Sequence, residues 1–401
     1  NFIAITDPDS HMQKVAEENG FWRIFYGDPK IGGRFSVLSN FGLVPAAVSG
    51  LDVRKFLTIT NLMVESCGPS APAHVNPGVT LGLILGHSAK CFGRDKVTIL
   101  ASKGIASFGA WLEQLIAEST GKKGTGLVPI DEEELGTPDV YGKDRVFVDL
   151  LLEGDTPDSR LGALREAGAP VVTVRLSDKN EIGQAFFVFE FATAVAGAVL
   201  GIDPFDQPDV ELSKVETRKL TTAYAETGSL PAEAPFAVDG NFSFYADEKN
   251  AAALGAGDTV SILKKHFERV GPGDYVGLLA YIERNRETRD WAQDVRMDLR
   301  NALKVATAAE FGPRFLHSTG QAYKGGPDSG VFLQVTAKDA ADVPVPGHGF
   351  SFGVVKAAQA RGDFEVLSAR GRRALRVHID GSLEEGLKTL AAAIHKAIAG
   401  A

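Results

Sequence analysis

The chain has 401 residues, which is enough for two or three domains that each bury a hydrophobic core. Its formal net charge of −9 leaves no surplus of Lys and Arg to displace counterions from a phosphate backbone, which argues against a nucleic-acid partner. Its two cysteines, Cys67 and Cys91, are too few for a disulfide framework, so the composition predicts a cytoplasmic protein.

Aliphatic and β-branched runs alternate with helical patterns along almost the whole sequence. Strands are predicted at 2–5, 97–101, 145–150, 171–176, 275–281, 330–336 and 374–379. Helices are predicted at 42–49, 54–65, 107–118, 158–166, 186–200, 288–305, 353–359 and 383–398. This alternation predicts an α/β fold of parallel sheets with helices on both faces, which binds ligands at the carboxyl ends of its strands. The apolar stretch 192–201 is too short for a membrane span, so no membrane association is expected.

Two segments suggest domain boundaries. The first predicted strand follows neither an initiator Met nor a helix, and a buried parallel strand needs neighbours, so we expect the fold to begin in an upstream part of the polypeptide. The second segment, 226–235, interrupts the pattern with Gly and two Pro. We therefore predict the end of a first domain at 1–50, a second α/β domain at 51–226 and a C-terminal α/β domain at 227–401.

Two glycines and an arginine form the first candidate site, Ile31-Gly-Gly-Arg-Phe-Ser36. Gly32 and Gly33 allow the backbone to approach an anion closely, and Arg34 adds a permanent positive charge. The alternative is a tight turn whose arginine pairs with a surface carboxylate.

A helix ending in Glu118-Ser-Thr-Gly-Lys122 forms the second candidate site. Gly121 is expected to end this helix in a left-handed conformation. A carboxylate in the last turn faces the negative end of the helix dipole, which favours its protonated form and suits a base that removes a carbon-bound proton. Glu118 is therefore the candidate base, whereas Glu113 is expected to be an ordinary exposed residue.

The run 203–212, Asp-Pro-Phe-Asp-Gln-Pro-Asp-Val-Glu-Leu, is the third candidate site. Two prolines and four carboxylates follow an apolar stretch, which predicts a buried helix that leads into a rigid polar loop. That loop is expected to hold Lys214 in a fixed place, where it can serve a sugar ring oxygen or a phosphate ester. The alternative is the solvated start of another helix, with Asp and Glu near its N-terminus.

His317 begins the fourth candidate site, a predicted loop that follows a strand-like lead at 315–317. It alone among the eight histidines has Ser, Thr, Gln and Gly as neighbours, which makes a ligand role credible although a lone histidine is usually structural. His87 and Cys91 have metal-ligand spacing, but no second pair completes four ligands, so we interpret them as packing residues. No nucleophile elbow, P-loop or dinucleotide fingerprint occurs.

Together these segments resemble the phosphoglucose isomerase family, which is built on flavodoxin-like sugar-isomerase (SIS) domains. The resemblance extends over nearly the whole chain and is closest to the isomerase half of the fused transaldolase–glucose-6-phosphate isomerase proteins. It is carried by Gly-Gly-Arg-Phe-Ser at 32–36, Ile-Ala-Glu-Ser-Thr-Gly-Lys at 116–122, Pro-Phe-Asp-Gln-Pro at 204–208 with Val-Glu at 210–211 and Lys214, and His-Ser-Thr-Gly-Gln at 317–321.

The resemblance implies a role for each matching residue. Glu118 would move a proton between C1 and C2 of the open-chain sugar, and Arg34 would stabilise the cis-enediolate. Lys214 would assist ring opening with His317 as its partner. The family's histidine comes between its glutamate and its lysine, where this chain has none, so His317 must reach the site by a different chain route, for which a homodimer interface is one option. The implied substrate-binding residues are Gly32, Gly33, Ser119, Gln207 and Gln321.

The resemblance implies an aldose–ketose isomerase that interconverts glucose 6-phosphate and fructose 6-phosphate without a metal or an organic cofactor. In the family, the Gly-rich loop and the Ser/Thr cradle for the sugar phosphate precede the matched segments, so an upstream polypeptide is implied, with transaldolase as its candidate activity. Two alternatives stay open. One is a non-catalytic SIS module that senses a sugar phosphate, and the other is a region that mainly supports an upstream transaldolase.

Overall fold

The structure is a computed structural model that describes residues 2–399, with the side chains at 210 and 211 outside the described part. In chain order the strands are β1 (Ile3–Thr6), β2 (Arg23–Tyr26), β3 (Lys96–Ala101), β4 (Val128–Ile130), β5 (Arg145–Leu152), β6 (Val171–Leu176), β7 (Ala237–Asp239), β8 (Phe242–Tyr245), β9 (Tyr275–Tyr281), β10 (Ala306–Phe311), β11 (Gly330–Ala337) and β12 (Arg373–Ile379). The α-helices are α1 (His11–Glu18), α2 (Asn40–Val48), α3 (Val53–Ser66), α4 (Pro77–Phe92), α5 (Phe108–Thr120), α6 (Arg160–Glu166), α7 (Ile182–Leu200), α8 (Pro208–Thr227), α9 (Glu248–Leu254), α10 (Thr259–Phe267), α11 (Arg286–Leu303), α12 (Gly320–Gly325), α13 (Phe352–Ala369) and α14 (Leu383–Ile398).

The first large sheet is entirely parallel, with the strand order β4-β3-β5-β6. Its central strand β5 is buried at every position, as an apolar parallel strand covered on both faces should be. The helices that pack on it contribute a shared set of core residues, which includes Leu81, Leu85, Leu112, Leu115 and Phe189. This packing fixes α5, the helix whose last turn carries Glu118.

Glycines spaced four residues apart allow α4 to lie directly against α7. A Cβ atom at Gly82 would come within 2.5 Å of the carbonyl oxygen of Ala192, and one at Gly78 would come equally close to the ring of Phe191. Because residues four apart share one helix face, these positions form a smooth surface for the neighbouring helix.

The helix α7 is longer and more apolar than the sequence analysis allowed. Within the described chain, Lys179–Leu200 has the length and hydropathy to cross a membrane, so the expectation that this apolar stretch is too short is wrong. Its most apolar window is 44% buried inside the protein, where it packs against α3, α4 and α5. That packing is also what the core helix of an α/β domain shows.

The second large sheet has the strand order β10-β9-β11-β12-β8-β7. The first four of these strands are parallel, while β8 pairs antiparallel with both β12 and β7. Alternate residues of β9 face two different cores, since Val276 and Leu278 pack with α10, α11 and α14 whereas Leu279 and Tyr281 pack with α13. Helices therefore cover both faces, as the sequence predicts.

The two large sheets meet at their edge strands. β4 and β10 contribute to one buried cluster, which contains Val128, Ile130, Ala306 and Ala308. Arg296 of α11 spans the junction, donating from Nη1 to the carbonyl oxygen of Asp131 at 2.9 Å and from Nη2 to that of Thr307 at 2.6 Å. The junction brings the segment that follows β10 next to α5, and the candidate site lies there.

The predicted α/β class is confirmed, and the seven predicted strands are all present with ends that differ by at most two residues. β10 was not predicted because its sequence ATAAEF is rich in alanine, which has little preference for strands. β2, β4 and the helices α1, α4, α8, α9, α10 and α12 were also not predicted. α8 ends at Thr227 with Gly228 in a left-handed conformation at φ 74°, inside the proposed boundary segment. The division into three domains stays a prediction.

Candidate active site

Arg34 is buried in the candidate site and hydrogen-bonds through its guanidinium nitrogens to several acceptors. It lies in the 3-10 helix Gly33–Phe35 and is only 3% exposed. Its Nε donates to Ser119 Oγ at 2.7 Å, and its Nη1 donates to Gln207 Oε1 at 2.9 Å. Burial lowers the pKa of Arg34, and the nearby carboxylate of Glu118 opposes that shift. The guanidinium remains a cation with a fixed orientation, because arginine keeps its proton in proteins.

The loop between α7 and α8 is tied to this site by two buried cations. Arg34 donates from Nη2 to the carbonyl oxygens of Pro204 and Asp206 at 2.7 and 3.1 Å. Lys122, which is 1% exposed, donates to the carbonyl oxygen of Asp203 and to Asp206 Oδ1, both at 2.6 Å. Burial lowers the pKa of Lys122, while its bond to Asp206 raises it.

Lys122 ends the motif at 116–122, but no role was predicted for it from the sequence. Its contacts show that it secures the Asp-Pro-Phe-Asp turn against the end of α5. The sequence signal for this role was a lysine directly after Gly121 together with an acidic run elsewhere in the chain. Local sequence could not pair the two, because Asp206 lies 84 residues from Lys122.

Glu118 occupies the last turn of α5 and is 7% exposed. Its Oε1 lies 3.6 Å from Arg34 Nη1, and its Oε2 accepts a hydrogen bond from Gln114 Nε2 at 3.0 Å. The structure therefore brings the candidate base and the candidate oxyanion cation together, with the carboxylate shielded from bulk water. Its catalytic role stays a prediction.

Gly121 is where α5 meets α12, and its role differs from the predicted one. Its φ of −76° is not left-handed, so the expectation of a left-handed helix end is wrong. A Cβ atom at this position would lie 2.3 Å from the Cα atom of Ala322. Glycine is needed because α12 approaches the end of α5 more closely than any side chain would permit.

Gln321 links three segments of the site through its side-chain amide. Its Nε2 donates to the carbonyl oxygen of Gly121 at 2.9 Å and to Asp209 Oδ2 at 2.7 Å, and its Oε1 accepts from the backbone N–H of Asp209 at 3.0 Å. It is fully buried. These contacts join α5, α8 and α12, so the described role of Gln321 is to position them, and its predicted contact with substrate stays a prediction.

Lys214 and His317 line one cavity of about 360 Å³, together with residues of α8 and α13 that include Ser213, Thr217 and Gln359. Lys214 follows Asp209 by five residues and His317 precedes Gln321 by four, and Gln321 hydrogen-bonds to both Asp209 and Gly121, so the segments that line the cavity are tied to the end of α5. A single chain is sufficient to bring the lysine and the histidine together.

Two local expectations around these residues are wrong. Lys214 lies on the helix α8 rather than in a rigid loop, because Pro208 starts a new helix at its first position, where a missing N–H costs nothing. His317 ends a 3-10 helix rather than a strand, and α12 replaces the predicted polar loop after it. The Val-Glu part of the motif, at 210–211, has its side chains outside the described part of the structure.

Gly32 and Gly33 leave open space at the entrance to Arg34. Gly32 has an ordinary φ of −63°, and a Cβ atom there would meet only Arg34 Nη1, at 3.9 Å. A Cβ atom at Gly33 would have no described atom within 4 Å. The backbone conformation at Gly32 does not require glycine, and the free space is consistent with the predicted approach of a ligand.

Glu113 is buried rather than exposed, which corrects the sequence-based expectation. Its Oε1 accepts from Arg314 Nη2 at 3.0 Å, and Glu310 lies beside the same guanidinium at 3.5 Å. Burial and the neighbouring Glu113 raise the pKa of Glu310 well above its usual value. This ion pair anchors the 3-10 helix that carries His317 to α5.

The described residues contain no group of three or more His, Cys, Asp or Glu side chains arranged to hold a metal ion. His87 Nδ1 and Cys91 Sγ lie 3.4 Å apart on α4, one helical turn from each other. Both side chains are exposed, so their interpretation as packing residues is wrong.

The structure is that of an α/β protein whose candidate acid–base centre is a fixed guanidinium beside a buried carboxylate, with a separate cavity lined by a lysine and a histidine. Such a centre suits a small hydroxylated substrate that develops negative charge on an oxygen atom. The comparisons with known proteins indicate which proteins of this kind are related to the chain.

No protein-family profile matches the chain. The chain is 31% identical to the glucose-6-phosphate isomerase of Rubrobacter xylanophilus over 255 residues, which cover 53% of this chain and 58% of that protein. It is 29% identical to the glucose-6-phosphate isomerase of Thermosynechococcus vestitus over 253 residues, which cover 53% of this chain and 47% of that protein. The chain is therefore similar in sequence to glucose-6-phosphate isomerases over about half of its residues, and it spans about half the length of the curated relatives it matches.

Among solved structures, a glucose-6-phosphate isomerase from Chlamydia trachomatis aligns with a TM-score of 0.44 at 18% identity, covering 56% of this chain and 53% of that chain. A structural similarity of this size is too low to support a mechanistic comparison. The sequence relatives confirm the predicted resemblance to the isomerase family over about half of the chain, rather than over nearly the whole chain as predicted. The link to transaldolase fusions stays a prediction.

Proposed function

We propose that this chain provides the proton-transfer centre of an aldose–ketose isomerase that interconverts glucose 6-phosphate and fructose 6-phosphate. The observation that carries the proposal is the buried pair of Glu118 and Arg34, 3.6 Å apart, in a chain similar in sequence to glucose-6-phosphate isomerases. A shielded carboxylate next to a fixed cation is what removal of a carbon-bound proton requires, because the proton and the resulting oxyanion must both be received.

The proposed reaction begins with ring opening in the cavity of Lys214 and His317. One of these groups gives a proton to the ring oxygen while the other removes the proton from the anomeric hydroxyl, which leaves the open-chain aldehyde. Glu118 then takes the proton from C2, and the electron pair moves to the carbonyl oxygen to form a cis-enediolate. The proton of the C2 hydroxyl passes to the C1 oxygen, and the same carboxyl group returns the carbon-bound proton to C1. The C2 oxygen then becomes the carbonyl of the ketose, without any net gain or loss of electrons.

Arg34 contributes to this step through one particular nitrogen. Ser119 and the carbonyl oxygens of Pro204 and Asp206 hold Nε and Nη2, so these atoms serve to fix the guanidinium plane. Nη1 faces Glu118 and donates to Gln207 Oε1. We assign Nη1 to the enediolate oxygen, since a donor that is already oriented needs no reorganisation when the charge develops.

We propose that the sugar phosphate is held partly by an upstream segment of the natural polypeptide, as the resemblance implies, and that this polypeptide also carries a transaldolase. A cytoplasmic location and a homodimeric assembly likewise remain proposals. Intact-mass measurement of the natural polypeptide, followed by a transaldolase assay, tests the fusion separately from the isomerase activity.

The decisive experiment measures isomerisation of glucose 6-phosphate in a coupled assay with the natural polypeptide and with its Glu118→Gln variant. We expect the variant to bind fructose 6-phosphate with nearly unchanged affinity and to lose turnover by a factor of at least about 100, since it loses a general base. Glu226→Gln, at an exposed position near the end of α8, is the matched control and should keep full turnover.

Two outcomes would contradict the proposal. Retained turnover in Glu118→Gln would show that another group moves the proton. Tight sugar-phosphate binding without any turnover in the unmodified protein would instead support a non-catalytic SIS module that senses sugar phosphates.

A further inference from the structure

A second cavity, of about 390 Å³, lies at the carboxyl ends of the strands of the six-stranded sheet. Tyr281 at the end of β9 and Thr336 at the end of β11 both line it. It shares no lining residue with the cavity of Lys214 and His317. Its volume is within the range of about 300–1,000 Å³ that small-molecule sites occupy.

The position of this cavity in the sheet is the one that α/β proteins use for ligands. β9 pairs with β10 on one side and with β11 on the other, while the chain runs from β9 to β10 and then to β11. The chain therefore adds β10 on one side of β9 and then crosses over to add β11 on the other side, so the order of the strands reverses between β9 and β11. A crevice forms outside the carboxyl ends of two strands at such a switch point.

A buried arginine at the cavity wall has an unused donor. Arg376 on β12 is 3% exposed, and its Nη2 donates to Glu233 Oε2 at 2.7 Å. Its guanidinium carbon lies 4.2 Å from the centre of the Tyr245 ring. Among the described residues, Nη1 of Arg376 has no hydrogen-bond partner. An unpaired buried donor on a charged group costs free energy, which an acceptor supplied by a ligand would recover.

The charged groups around the cavity leave an excess of positive charge. Glu233 is the shared partner of Arg376 and of Arg361, whose Nε lies 3.0 Å from the same carboxylate oxygen. Lys356 is paired with Asp339. The third acidic group, Asp342, is engaged with the N-terminus of α13. The cavity is therefore lined by four basic and three acidic side chains. The basic side chains are those of Lys338, Lys356, Arg361 and Arg376.

We propose that this cavity binds a small organic oxyanion, a carboxylate or a phosphate ester, whose oxygen accepts a hydrogen bond from Nη1 of Arg376. A charged N–H donor such as Nη1 can bond an oxygen of either kind of oxyanion, and the rings of Tyr245 and Tyr281 provide an apolar wall for the organic part of the ligand. The site is separate from the proposed isomerase centre and does not depend on it.

The test uses two ring-bearing probes, phenyl phosphate and benzoate, in saturation-transfer NMR titrations of the natural polypeptide. Arg376→Lys keeps the positive charge and the long side chain but removes the guanidinium fork, so we expect probe affinity to fall by at least about tenfold. Arg373→Lys, on the same strand but paired with Asp274 outside the cavity, is the matched control and should bind like the parent protein.

A second variant, Ala357→Phe, fills the cavity without changing any charge and should also abolish binding, which covers the case in which Arg376→Lys folds poorly. Binding of phenyl phosphate alone identifies a phosphate ester, and binding of benzoate alone identifies a carboxylate. The proposal is overturned if neither probe binds the parent protein, if Ala357→Phe binds with unchanged affinity, or if binding is lost in Arg34→Lys but kept in Arg376→Lys.

Discussion

Replacing Arg34 with lysine tests whether a fixed guanidinium stabilises the enediolate. The substitution keeps one positive charge in a site where the side chain is almost fully buried. It removes a planar group that now bonds Ser119, Gln207 and the carbonyl oxygens of Pro204 and Asp206. A single ammonium group cannot reach acceptors on all sides of that plane, so the cation loses its orientation toward Glu118.

The expected losses differ for catalysis and for folding. Removing one oriented donor from a developing oxyanion typically lowers kcat by a factor of about 100 to 1,000, and we expect kcat to fall within that range. Asp206 and Gln207 are exposed, so their oxygens can turn to water, and Ser119 can rotate to another partner. The carbonyl oxygen of the buried Pro204 is then the one acceptor left without a donor, so we expect the free energy of unfolding to fall by about 1–3 kcal/mol.

Steady-state kinetics in both directions of the coupled assay measure the loss of kcat. Urea unfolding of the same preparations measures the loss in the free energy of unfolding separately. Arg175→Lys, at an exposed position on β6, is the control and should change neither quantity. A variant whose KM rises while kcat stays within a factor of about three would refute the role of Nη1, because such a change reports loss of uniform binding rather than loss of transition-state stabilisation.

Three further substitutions have expected outcomes. Gly121→Ala forces a Cβ atom to within 2.3 Å of the Cα atom of Ala322, so it should separate α5 from α12, lower the free energy of unfolding by about 1–3 kcal/mol and reduce turnover. Burial raises the pKa of Glu190 to about 8 from its usual 4.5, so the folded protein loses stability as pH rises between these values. Glu190→Gln should therefore stabilise the protein by up to about 3 kcal/mol at pH 7 and have little effect at pH 4.5. Lys214→Ala should slow isomerisation of cyclic substrate by at least about tenfold more than that of open-chain substrate.

Each of these has a matched control. Gly162→Ala in α6 introduces a Cβ atom into open space and should be neutral or stabilising, so equal destabilisation at both glycines would contradict the close-approach explanation. Glu166→Gln, at an exposed position, should show no pH-dependent gain in urea unfolding, and a pH-independent effect at Glu190 would count against the burial of its charge. Lys219→Ala, five residues further along α8, should keep its rate, and equal slowing of cyclic and open-chain substrate in Lys214→Ala would exclude a role in ring opening.

Local sequence identified the regular strands because a parallel strand covered on both faces must be apolar along its whole length. β5 and β9 show this pattern and are buried at every position. Local sequence did not identify β10, where alanines and a glutamate are held in a strand by pairing with β9. It also did not identify α8, whose mixed charges conceal any helical period. Tertiary packing, rather than intrinsic preference, decides such segments.

The sequence by itself determined which residues are candidates for the chemistry: Glu118 at the end of a helix, Arg34 after two glycines, and Lys214 and His317 in polar surroundings. Only the tertiary structure decided that Glu118 and Arg34 meet, that Lys122 secures the acidic turn, and that Glu113 is buried. The physical reason is separation along the chain. Arg34 and Ser119 are 85 residues apart, and Gly121 and Gln321 are 200 residues apart, so no local pattern records a contact that depends on two sheets joining at their edges.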